Sequence, residues 1–213
     1  MRALGRALRR AELPIAYSQG YHPLPRLALG PPLPLGIESE AEYVDLVFTA
    51  HYTEAEILEM LNTSLPQGLE ITEVKEATQK VRSLTATINQ LDYAYFIENP
   101  SKEDHERSRD LLIQSLQMLW DQEELPVIRK KKNQEKKVDI RPLWKGYEFL
   151  PTEQELHKLK LMVEYGPEGT IRPEDFLSYL PPGFEVQKIM RVGAWIVSAH
   201  NDRIITPTAV LGT

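Results

Sequence analysis

The sequence has no cysteine among its 213 residues, which excludes disulfide bonds, Cys-ligated zinc, iron–sulfur clusters and a cysteine nucleophile. It also lacks any run of the ~18 apolar residues that a membrane-spanning helix needs, and its N-terminus lacks the apolar stretch of a secretory signal. We therefore expect a cytoplasmic protein with no membrane partner. With 42% hydrophobic and 26% charged residues, the composition is that of a globular protein of one domain or two small ones.

Charge is distributed in blocks along the chain, around a formal net charge of −6. Residues 1–36 carry five arginines and one glutamate, and residues 37–78 carry ten acids and one lysine. Residues 129–145 carry eight basic and two acidic residues, so two basic regions flank an acidic one. The net charge argues against non-specific nucleic-acid binding by the whole molecule, whereas a local basic patch can still bind.

The N-terminal segment joins a helical pattern to a stretch that cannot be helical. Apolar residues at positions 4, 7, 8 and 11 predict an amphipathic helix with arginines on its other face. Six prolines follow within residues 14–34, and each removes a backbone donor and disfavours helix at the preceding residue. We therefore expect a loop or an edge strand there.

The remainder of the first part predicts a further helix and further strands. Tyr43–Phe48 is rich in β-branched and aromatic residues, which favours a strand. Thr53 and Glu56 have the spacing of a capping box at the start of a helix. A strand is predicted again at Leu69–Val74, so this part reads α-β-β-α-β.

Polar residues without periodicity at Glu76–Arg82 indicate a boundary, after which the pattern restarts. The elements predicted beyond it are a strand at Leu84–Ile97, a helix capped by Ser101, strands at Val127–Ile128, Val138–Trp144 and Leu159–Tyr165, a short helix at Pro173–Leu180 and a strand at Val186–Val192. Their order is β-α-β-β-α-β, the split βαβ arrangement of ferredoxin-like folds.

We therefore predict an α+β protein with two ferredoxin-like (split βαβ) halves, residues 1–78 and 82–213, of which the first lacks its opening strand. A sheet without that strand leaves backbone groups of a neighbouring strand unpaired, a liability that proteins avoid or cover. Either the chain is truncated before this strand or another segment takes its place.

The proline-rich stretch holds the first candidate site. Hydroxyl, amide, imidazole and guanidinium groups concentrate on Tyr17, Ser18, Gln19, Tyr21, His22 and Arg26. Prolines lower the entropy that such a loop loses on ordering, which favours a preorganised substrate-binding edge. His22 is also a candidate acid or base near neutral pH. The alternative is that the two tyrosines pack in the core and His22 merely occupies a turn.

A run of carboxylates follows the loop at mostly alternate positions: Glu38, Glu40, Glu42 and Asp45. Up to three of them can face one side of an extended segment. Beside His22 they would suit a hard divalent cation, but such a run more often solvates a sheet edge or pairs with arginines such as Arg9, Arg10 or Arg26. We assign no metal and no other cofactor to the chain.

A basic hairpin is the second candidate site. Its cations are Arg129, Lys130, Lys131, Lys132, Lys136 and Lys137, with Trp144 and Tyr147 close in sequence. Basic residues interleaved with aromatics can follow a phosphate backbone while bases stack, so this segment predicts RNA binding. The alternative is a solvated tip, because lysines also protect edges from aggregation. Asp139 and Arg141, two apart on a predicted strand, suggest either a structural ion pair or a small polar site.

Three segments resemble a known family. They are Arg9–Arg26 (RRAELPIAYSQGYHPLPR), Leu29–Tyr43 (LGPPLPLGIESEAEY) and Lys137–Leu143 (KVDIRPL). Together they resemble the radical-SAM-linked proteins, a bacterial family defined by a domain of unknown function. In that family the domain is fused behind, or encoded next to, a radical-SAM enzyme with a cobalamin-binding-type domain, so the resemblance implies such an enzyme as partner. Family members usually begin with an extra strand and a segment carrying a histidine and an aspartate, which this chain lacks.

The leading functional hypothesis follows from the resemblance and from the missing cysteines. A radical-SAM cluster needs three cysteines, so this chain is not the radical enzyme itself. We expect a non-catalytic accessory or substrate-presenting domain, with RNA or a ribosome-associated macromolecule as substrate. The alternative is an RNA-processing enzyme on a tandem ferredoxin-like scaffold that uses His22 as acid or base. A third hypothesis is a purely structural interaction module.

Overall fold

The structure, a computed structural model, describes residues 2–77, 82–98, 100, 104–131, 134–151, 156–198 and 203–212. The protein is of the mixed α+β class with several sheets, which confirms the predicted class. The α-helices of the described residues are α1 (Arg2–Arg10), α2 (Glu54–Ser64), α3 (Leu84–Thr87) and α4 (His105–Trp120). None of these helices has the length and apolar character required to cross a membrane.

The strands of this part of the chain are β1 (Leu27–Leu29), β2 (Glu38–Ser39), β3 (Val44–Leu46), β4 (Gln90–Glu98), β5 (Pro126–Lys131), β6 (Gln134–Asp139), β7 (Trp144–Leu150), β8 (Leu156–Gly166), β9 (Gly169–Thr170), β10 (Glu185–Val197) and β11 (Ile204–Ile205). Short 3-10 helices span Arg141–Leu143, Pro173–Tyr179 and Pro207–Gly212.

The chain divides into two compact units that interleave along the sequence. The first unit comprises residues 1–31, 43–87 and 206–213, and the second comprises residues 32–42 and 88–205. These units differ from the predicted domains in that residues 32–42 belong to the second unit, while residues 82–87 and 206–213 belong to the first. Within the predicted boundary Glu76–Arg82, residues 78–81 lie outside the described residues.

The first unit has an apolar core to which α1 and α2 both contribute. Leu8 of α1 and Leu61 of α2 are each 1% exposed, and the predicted N-terminal helix is confirmed. The predicted capping box is also confirmed: the Thr53 hydroxyl accepts from the Glu56 amide at 3.2 Å, and the Glu56 carboxylate accepts from the Thr53 amide at 2.8 Å. Strands β1 and β3 pair antiparallel, so the proline-rich stretch does contain a short strand.

The predicted strand at Leu69–Val74 does not form. The side-chain amide of Asn62 makes two hydrogen bonds to the backbone of Ile71: Nδ2 donates to the Ile71 carbonyl at 2.9 Å, and Oδ1 accepts from the Ile71 amide at 2.8 Å. The Glu54 carboxylate accepts from the Glu76 amide at 2.9 Å. Side chains of α2 therefore satisfy backbone groups that a neighbouring strand would otherwise have paired.

The second unit is built on an antiparallel sheet with the strand order β11-β10-β4-β8-β7. The predicted alternation in β8 is confirmed, because Leu159, Leu161 and Val163 are almost fully buried while the residues between them are half-buried. The contacts that α4 and the 3-10 helix Pro173–Tyr179 make with the sheet fall on this buried face. One of them is the hydrogen bond that the Tyr95 hydroxyl donates to the Pro173 carbonyl at 2.9 Å.

Two elements predicted for residues 82–213 divide into smaller ones. The run Leu84–Ile97 begins with the single helical turn α3 before β4 starts. The run Val138–Trp144 breaks after Asp139, and a 3-10 turn at Arg141–Leu143 separates β6 from β7. Pro142 lies in this turn, where its missing N–H removes a donor that a strand ladder would need. The predicted cap Ser101 lies outside the described residues, and Asp104 caps α4 by accepting from the Arg107 amide at 2.9 Å.

A buried arginine ties residues 32–42 to the second unit. The Arg191 side chain on β10 is 1% exposed and donates to the Glu42 carboxylate and to the Pro32 carbonyl, each at 2.8 Å. It also donates to the Tyr93 hydroxyl at 3.1 Å. Next to it, β2 pairs in parallel with β10, with Ser39 opposite Arg191. A charge this deeply buried is tolerated because several acceptors surround it.

We expect Arg191→Met to destabilise the protein by roughly 2–4 kcal/mol, because a buried pair that loses one member leaves acceptors without a donor. Arg191→Lys should recover little of this loss, since an ammonium group cannot donate to three acceptors in the geometry of the guanidinium fork. Urea unfolding measures the free energy, and limited proteolysis within residues 32–42 reports release of the segment.

The matched control is Lys188→Gln on the same strand. Lys188 pairs with Glu38 at 2.6 Å, but both side chains are exposed by a third or more, so the change should cost less than about 1 kcal/mol. Equal losses of unfolding free energy in Arg191→Met and Lys188→Gln would contradict the idea that the buried Arg191 holds residues 32–42 on β10.

Candidate functional site

The segment Tyr17–Arg26 is a closed loop in the first unit. Tyr17 and Pro25 form a β-bridge, and the Ser18 amide donates to the Leu24 carbonyl at 2.8 Å. The Ser18 hydroxyl accepts from the Leu24 amide at 3.0 Å, which closes the loop a second time. Gly20 has φ 145°, a value that side-chain-bearing residues rarely adopt. The loop is therefore held in one conformation by its own backbone.

The candidate side chains of this loop face solvent. Tyr17, Ser18, Gln19, Tyr21, His22 and Arg26 are all exposed. Tyr17 is 46% and Tyr21 95% exposed, so the alternative that these tyrosines pack in the core is wrong. The rings of Tyr21 and His22 contact each other edge to face, with centroids 4.9 Å apart. The loop is thus a protruding element and not the wall of a cavity.

The loop does not assemble an activated nucleophile. The Ser18 hydroxyl accepts from the Leu24 amide, and no hydrogen bond joins Ser18 to His22 among the described residues. A nucleophilic serine needs a base within hydrogen-bond reach. The geometry therefore provides polar and aromatic groups for binding, without the pair that hydrolysis by serine would require.

The carboxylates after the loop act as ion-pair partners inside the second unit. Glu38 pairs with Lys188 and Glu42 with Arg191, so pairing with cations occurs, but not with the arginines that we had named. The Ser39 hydroxyl donates to Glu42 at 2.6 Å. Asp45 is in β3 of the first unit, where partial burial raises the pKa of its carboxyl.

The basic hairpin forms as predicted, from β5 and β6. Arg129 is its anchor: the guanidinium donates to the Asp175 carboxylate and to the Thr170 carbonyl, the latter at 2.8 Å. Asp175 is only 8% exposed, so this ion pair is largely removed from solvent. The Tyr179 hydroxyl donates to the Pro126 carbonyl at 2.7 Å and fixes the base of the hairpin. Arg129 is therefore engaged within the protein.

The exposed cations of the hairpin are lysines. Lys130, Lys136 and Lys137 are exposed, whereas Lys132 and the side chain of Lys131 lie outside the described residues. Lys130 pairs with Glu135 across the hairpin at 3.3 Å, and both side chains are more than half exposed, which makes the pair weak. These lysines can therefore approach a phosphate without breaking a strong internal contact.

The aromatic residues that we expected beside the hairpin are structural. Trp144 is 2% exposed, with its ring centroid 5.0 Å from Trp120 and 4.8 Å from Phe176. Tyr147 is half-buried and its hydroxyl donates to Gln117 at 3.2 Å. The idea that Trp144 stacks on bases is wrong, because its surface is covered by its neighbours.

Asp139 and Arg141 are structural too, although not as a pair on one strand. Asp139 accepts from the backbone amides of Leu125 at 2.7 Å and Arg141 at 3.0 Å. The Arg141 guanidinium donates to the Trp120 carbonyl at 2.8 Å and the Gln122 carbonyl at 3.1 Å. It thus satisfies carbonyls at the C-terminal end of α4, which otherwise lack donors.

Sequence reasoning missed a buried serine–histidine contact. Ser108 Oγ of α4 and His157 Nε2 of β8 are 2.8 Å apart, and both residues are buried. Burial lowers the pKa of His157 to about 4, with a further contribution from His105 and Arg109. The His105 ring stacks on His157 with centroids 4.4 Å apart. The dyad is 5% and 2% exposed, so we assign it to packing; no sequence spacing relates residues 108 and 157.

A second polar cluster was missed on the other face of the sheet. Asp92 of β4 is 5% exposed and accepts from the Trp195 indole at 2.8 Å and from the Gln90 amide at 3.0 Å. Burial raises the pKa of the Asp92 carboxyl. Gly193 permits this arrangement, because a Cβ there would lie 2.2 Å from the indole nitrogen. An acid inside a predicted apolar strand is the one signal that sequence offered.

These features define an α+β protein whose candidate binding residues lie on an exposed closed loop and on an anchored basic hairpin. The chain belongs to a family described as uncharacterized proteins conserved in bacteria (DUF2344), whose sequence profile matches residues 1–173. No curated protein matches the sequence.

One match to a solved structure has a title that reads crystal structure of a Cbf5-Nop10-Gar1 complex. The identity is 13% and the TM-score 0.35, over 51% of this chain and 31% of that chain. This chain therefore matches less than a third of that protein's length. A similarity at this level carries no argument about fold or function.

We expect the protein to lose stability as the pH falls from about 6.5 to about 4. The folded state holds His157 neutral with a pKa near 4, whereas an unfolded histidine binds a proton near pH 6.5. The unfolded state therefore binds more protons in this window, and the contribution lost is at most about 3 kcal/mol. The stabilising contribution of His157 is fully present above pH 6.5.

The measurement is the unfolding free energy against pH, for the unchanged chain and for His157→Gln, which keeps an acceptor for Ser108 but does not titrate. Between pH 6.5 and 4, the difference in unfolding free energy between the two proteins should change by the contribution of His157. His22→Gln, at an exposed position, is the control. Parallel curves for the unchanged chain and His157→Gln would show that His157 is not the titrating group.

Proposed function

We propose that this chain is a non-catalytic accessory domain that presents a macromolecular substrate to a radical-SAM partner enzyme. The observation that carries this proposal is the closed Tyr17–Arg26 loop, which exposes all of its candidate side chains. Preorganised exposed aromatics and cations are typical of recognition surfaces, because little entropy is lost when they bind. The partner class comes from the resemblance of the loop and the segments around it to radical-SAM-linked proteins.

The alternative, an RNA-processing enzyme that uses His22, has less support. Such an enzyme needs a base, an activated nucleophile or metal, and a group that stabilises developing charge. The loop offers His22 as a base and Arg26 as a charge-stabilising group. Among the described residues no hydrogen bond joins Ser18 to His22, and Glu38 and Glu42 are in ion pairs elsewhere. Binding is the function that these contacts favour.

A ferredoxin-like arrangement of the second unit is part of the proposal. The sheet order β10-β4-β8-β7 is fully antiparallel, and α4 and the 3-10 helix Pro173–Tyr179 connect β4 to the hairpin and β9 to β10. With the basic hairpin as an insertion after α4, the chain order is β-α-β-β-α-β, as in the split βαβ motif. The first unit lacks the corresponding support, since Leu69–Val74 is not a strand.

The loop hypothesis predicts that His22→Ala and Arg26→Ala each lower turnover by the partner enzyme about ten-fold, the effect of losing one recognition contact of ~1.4 kcal/mol. The assay combines the purified chain with the partner that the resemblance implies, a radical-SAM enzyme fused to or encoded next to the domain, and with the macromolecular substrate. His51→Ala is the matched control, because His51 is an exposed histidine of the same unit.

The isolated chain should show no nuclease activity in this assay. RNA cleavage by the purified chain that disappears in His22→Ala would overturn the proposal and establish the enzyme alternative. Unchanged turnover in both loop variants would show that the loop does not contribute to substrate recognition.

RNA is the substrate class that the hairpin favours, because exposed lysines project from an anchored two-stranded element. We expect Lys130→Gln, Lys136→Gln and Lys137→Gln together to weaken single-stranded RNA binding and to lower its salt slope by roughly two, since each neutralised phosphate releases about 0.7 counterions. Arg129 is left intact because it anchors the hairpin. Fluorescence anisotropy at several salt concentrations measures both quantities.

The control for the hairpin variant removes three exposed lysines that are already paired with glutamates: Lys75, Lys145 and Lys188. It changes the net charge equally. If both triple variants lose the same affinity, binding depends on net charge and not on the hairpin. If RNA does not bind at low salt, RNA is not the substrate.

A further inference from the structure

The second unit contains a groove that includes no residue of the loop and, of the basic hairpin, only Pro126. Its volume is about 690 Å³, within the range of ligand sites. It lies between the C-terminal half of α4, the start of β5 and the segment after the 3-10 helix Pro173–Tyr179. The residues that line it are Ser115, Met118, Leu119, Gln122, Glu124, Leu125, Pro126, Tyr179, Pro181 and Pro182.

The groove exposes large apolar side chains on a rigid frame. Met118 is 63% exposed, and most of the other lining residues are apolar or aromatic: Leu119, Leu125, Pro126, Tyr179, Pro181 and Pro182. The opposite wall is fixed by the hydrogen bond from Tyr179 to the Pro126 carbonyl and by the two prolines that follow. Contiguous apolar surface at a preformed groove is a feature of interaction sites, since it loses contact with water only when a partner covers it.

One acid, Glu124, lines the groove, and two more precede it in the chain at a place that is unfavourable for the helix. Asp121, Glu123 and Glu124 follow directly after α4, and all three are exposed. The C-terminus of a helix carries partial negative charge and prefers cations, but α4 has no basic residue in its last turn. Arg141, from the 3-10 turn after β6, supplies the cation that caps this end.

Arg141, which caps this end, donates to the Trp120 and Gln122 carbonyls and to none of these carboxylates among the described residues. Within the described residues, none of the three forms an ion pair, and Asp121 only accepts a hydrogen bond from Gln117 at 3.1 Å. They therefore impose a local negative potential beside an apolar surface. Such a potential repels nucleic acid and anionic lipid, and it attracts cationic groups.

We propose that this groove binds an apolar segment of a partner protein that is flanked by lysine or arginine. The apolar side chains of the segment pack on Met118 and between Tyr179 and the prolines, and its cations lie beside Asp121, Glu123 and Glu124. This inference goes beyond the proposed function, because it holds for any protein partner and uses no residue of the loop and no exposed lysine of the hairpin.

The test selects peptides from a random 16-residue library displayed on phage, with the full chain as target. We expect enriched peptides that share two or more apolar residues flanked by lysine or arginine. Binding of the synthetic consensus peptide, measured by fluorescence polarisation, should weaken more than ten-fold in Met118→Glu. The double variant Glu123→Lys, Glu124→Lys should weaken it several-fold and reduce its salt dependence.

Leu35→Glu is the matched control, since Leu35 is a fully exposed apolar residue outside the groove. Thermal unfolding of each variant confirms that a loss of binding is not a loss of fold. The proposal is overturned if no peptide is enriched, if the enriched peptides lack cations, or if Met118→Glu and Leu35→Glu bind equally well. The proposed function is tested separately by turnover with the loop variants, so either idea can fail while the other stands.

Discussion

The second unit depends on one buried charge, the guanidinium of Arg191. Placing a cation at 1% exposure is unfavourable unless acceptors surround it, and the chain provides Glu42, the Pro32 carbonyl and the Tyr93 hydroxyl. Two of these acceptors come from residues 32–42, some 150 residues away in sequence. The requirement of Arg191 for acceptors therefore draws that segment onto β10, where β2 adds to the sheet. A sheet edge that would otherwise be open is partly covered as a result.

Cations in this unit divide into two chemical roles. Arg129, Arg141 and Arg191 each donate to two or more acceptors inside the protein, a task that suits the planar guanidinium. The exposed cations among the described residues of the hairpin are lysines, and the ion pair of Lys130 with Glu135 is itself exposed and weak. The local charge of +6 over residues 129–145 consequently overstates the charge that is available for binding. This division explains why a basic block in a sequence is a weak predictor of a nucleic-acid site until each side chain has been located.

Local signals in the sequence predicted the elements but not the contacts between distant segments. The capping box at Thr53, the alternation in β8 and the hairpin β5–β6 depend on neighbouring residues, and the structure confirms them. The prediction of a strand at Leu69–Val74 was wrong because the Asn62 side chain hydrogen-bonds to the backbone of Ile71. Residue propensities do not predict such a contact. The prolines predicted a loop or an edge strand in this part of the chain, but they left open whether Tyr17 and Tyr21 pack in the core. The Asp92–Trp195 and Ser108–His157 contacts join residues far apart in sequence, so no spacing rule could have found them.

The segment between Arg9 and Tyr43, which resembles the radical-SAM-linked proteins, contributes residues to both units. This double contribution is a physical reason for its length. Up to Pro31 it belongs to the first unit and forms the closed loop, whereas residues 32–42 belong to the second and supply the acceptors for Arg191. Pro31 is the last residue of the first unit's segment, and Pro32 is the first residue of the second unit's segment. Because proline restricts the backbone, these two residues lose little conformational entropy on folding. Substitutions in the loop and substitution of Glu42 should therefore act differently. The former change exposed side chains at little cost in stability, whereas the latter leaves the buried Arg191 without its carboxylate and destabilises the second unit.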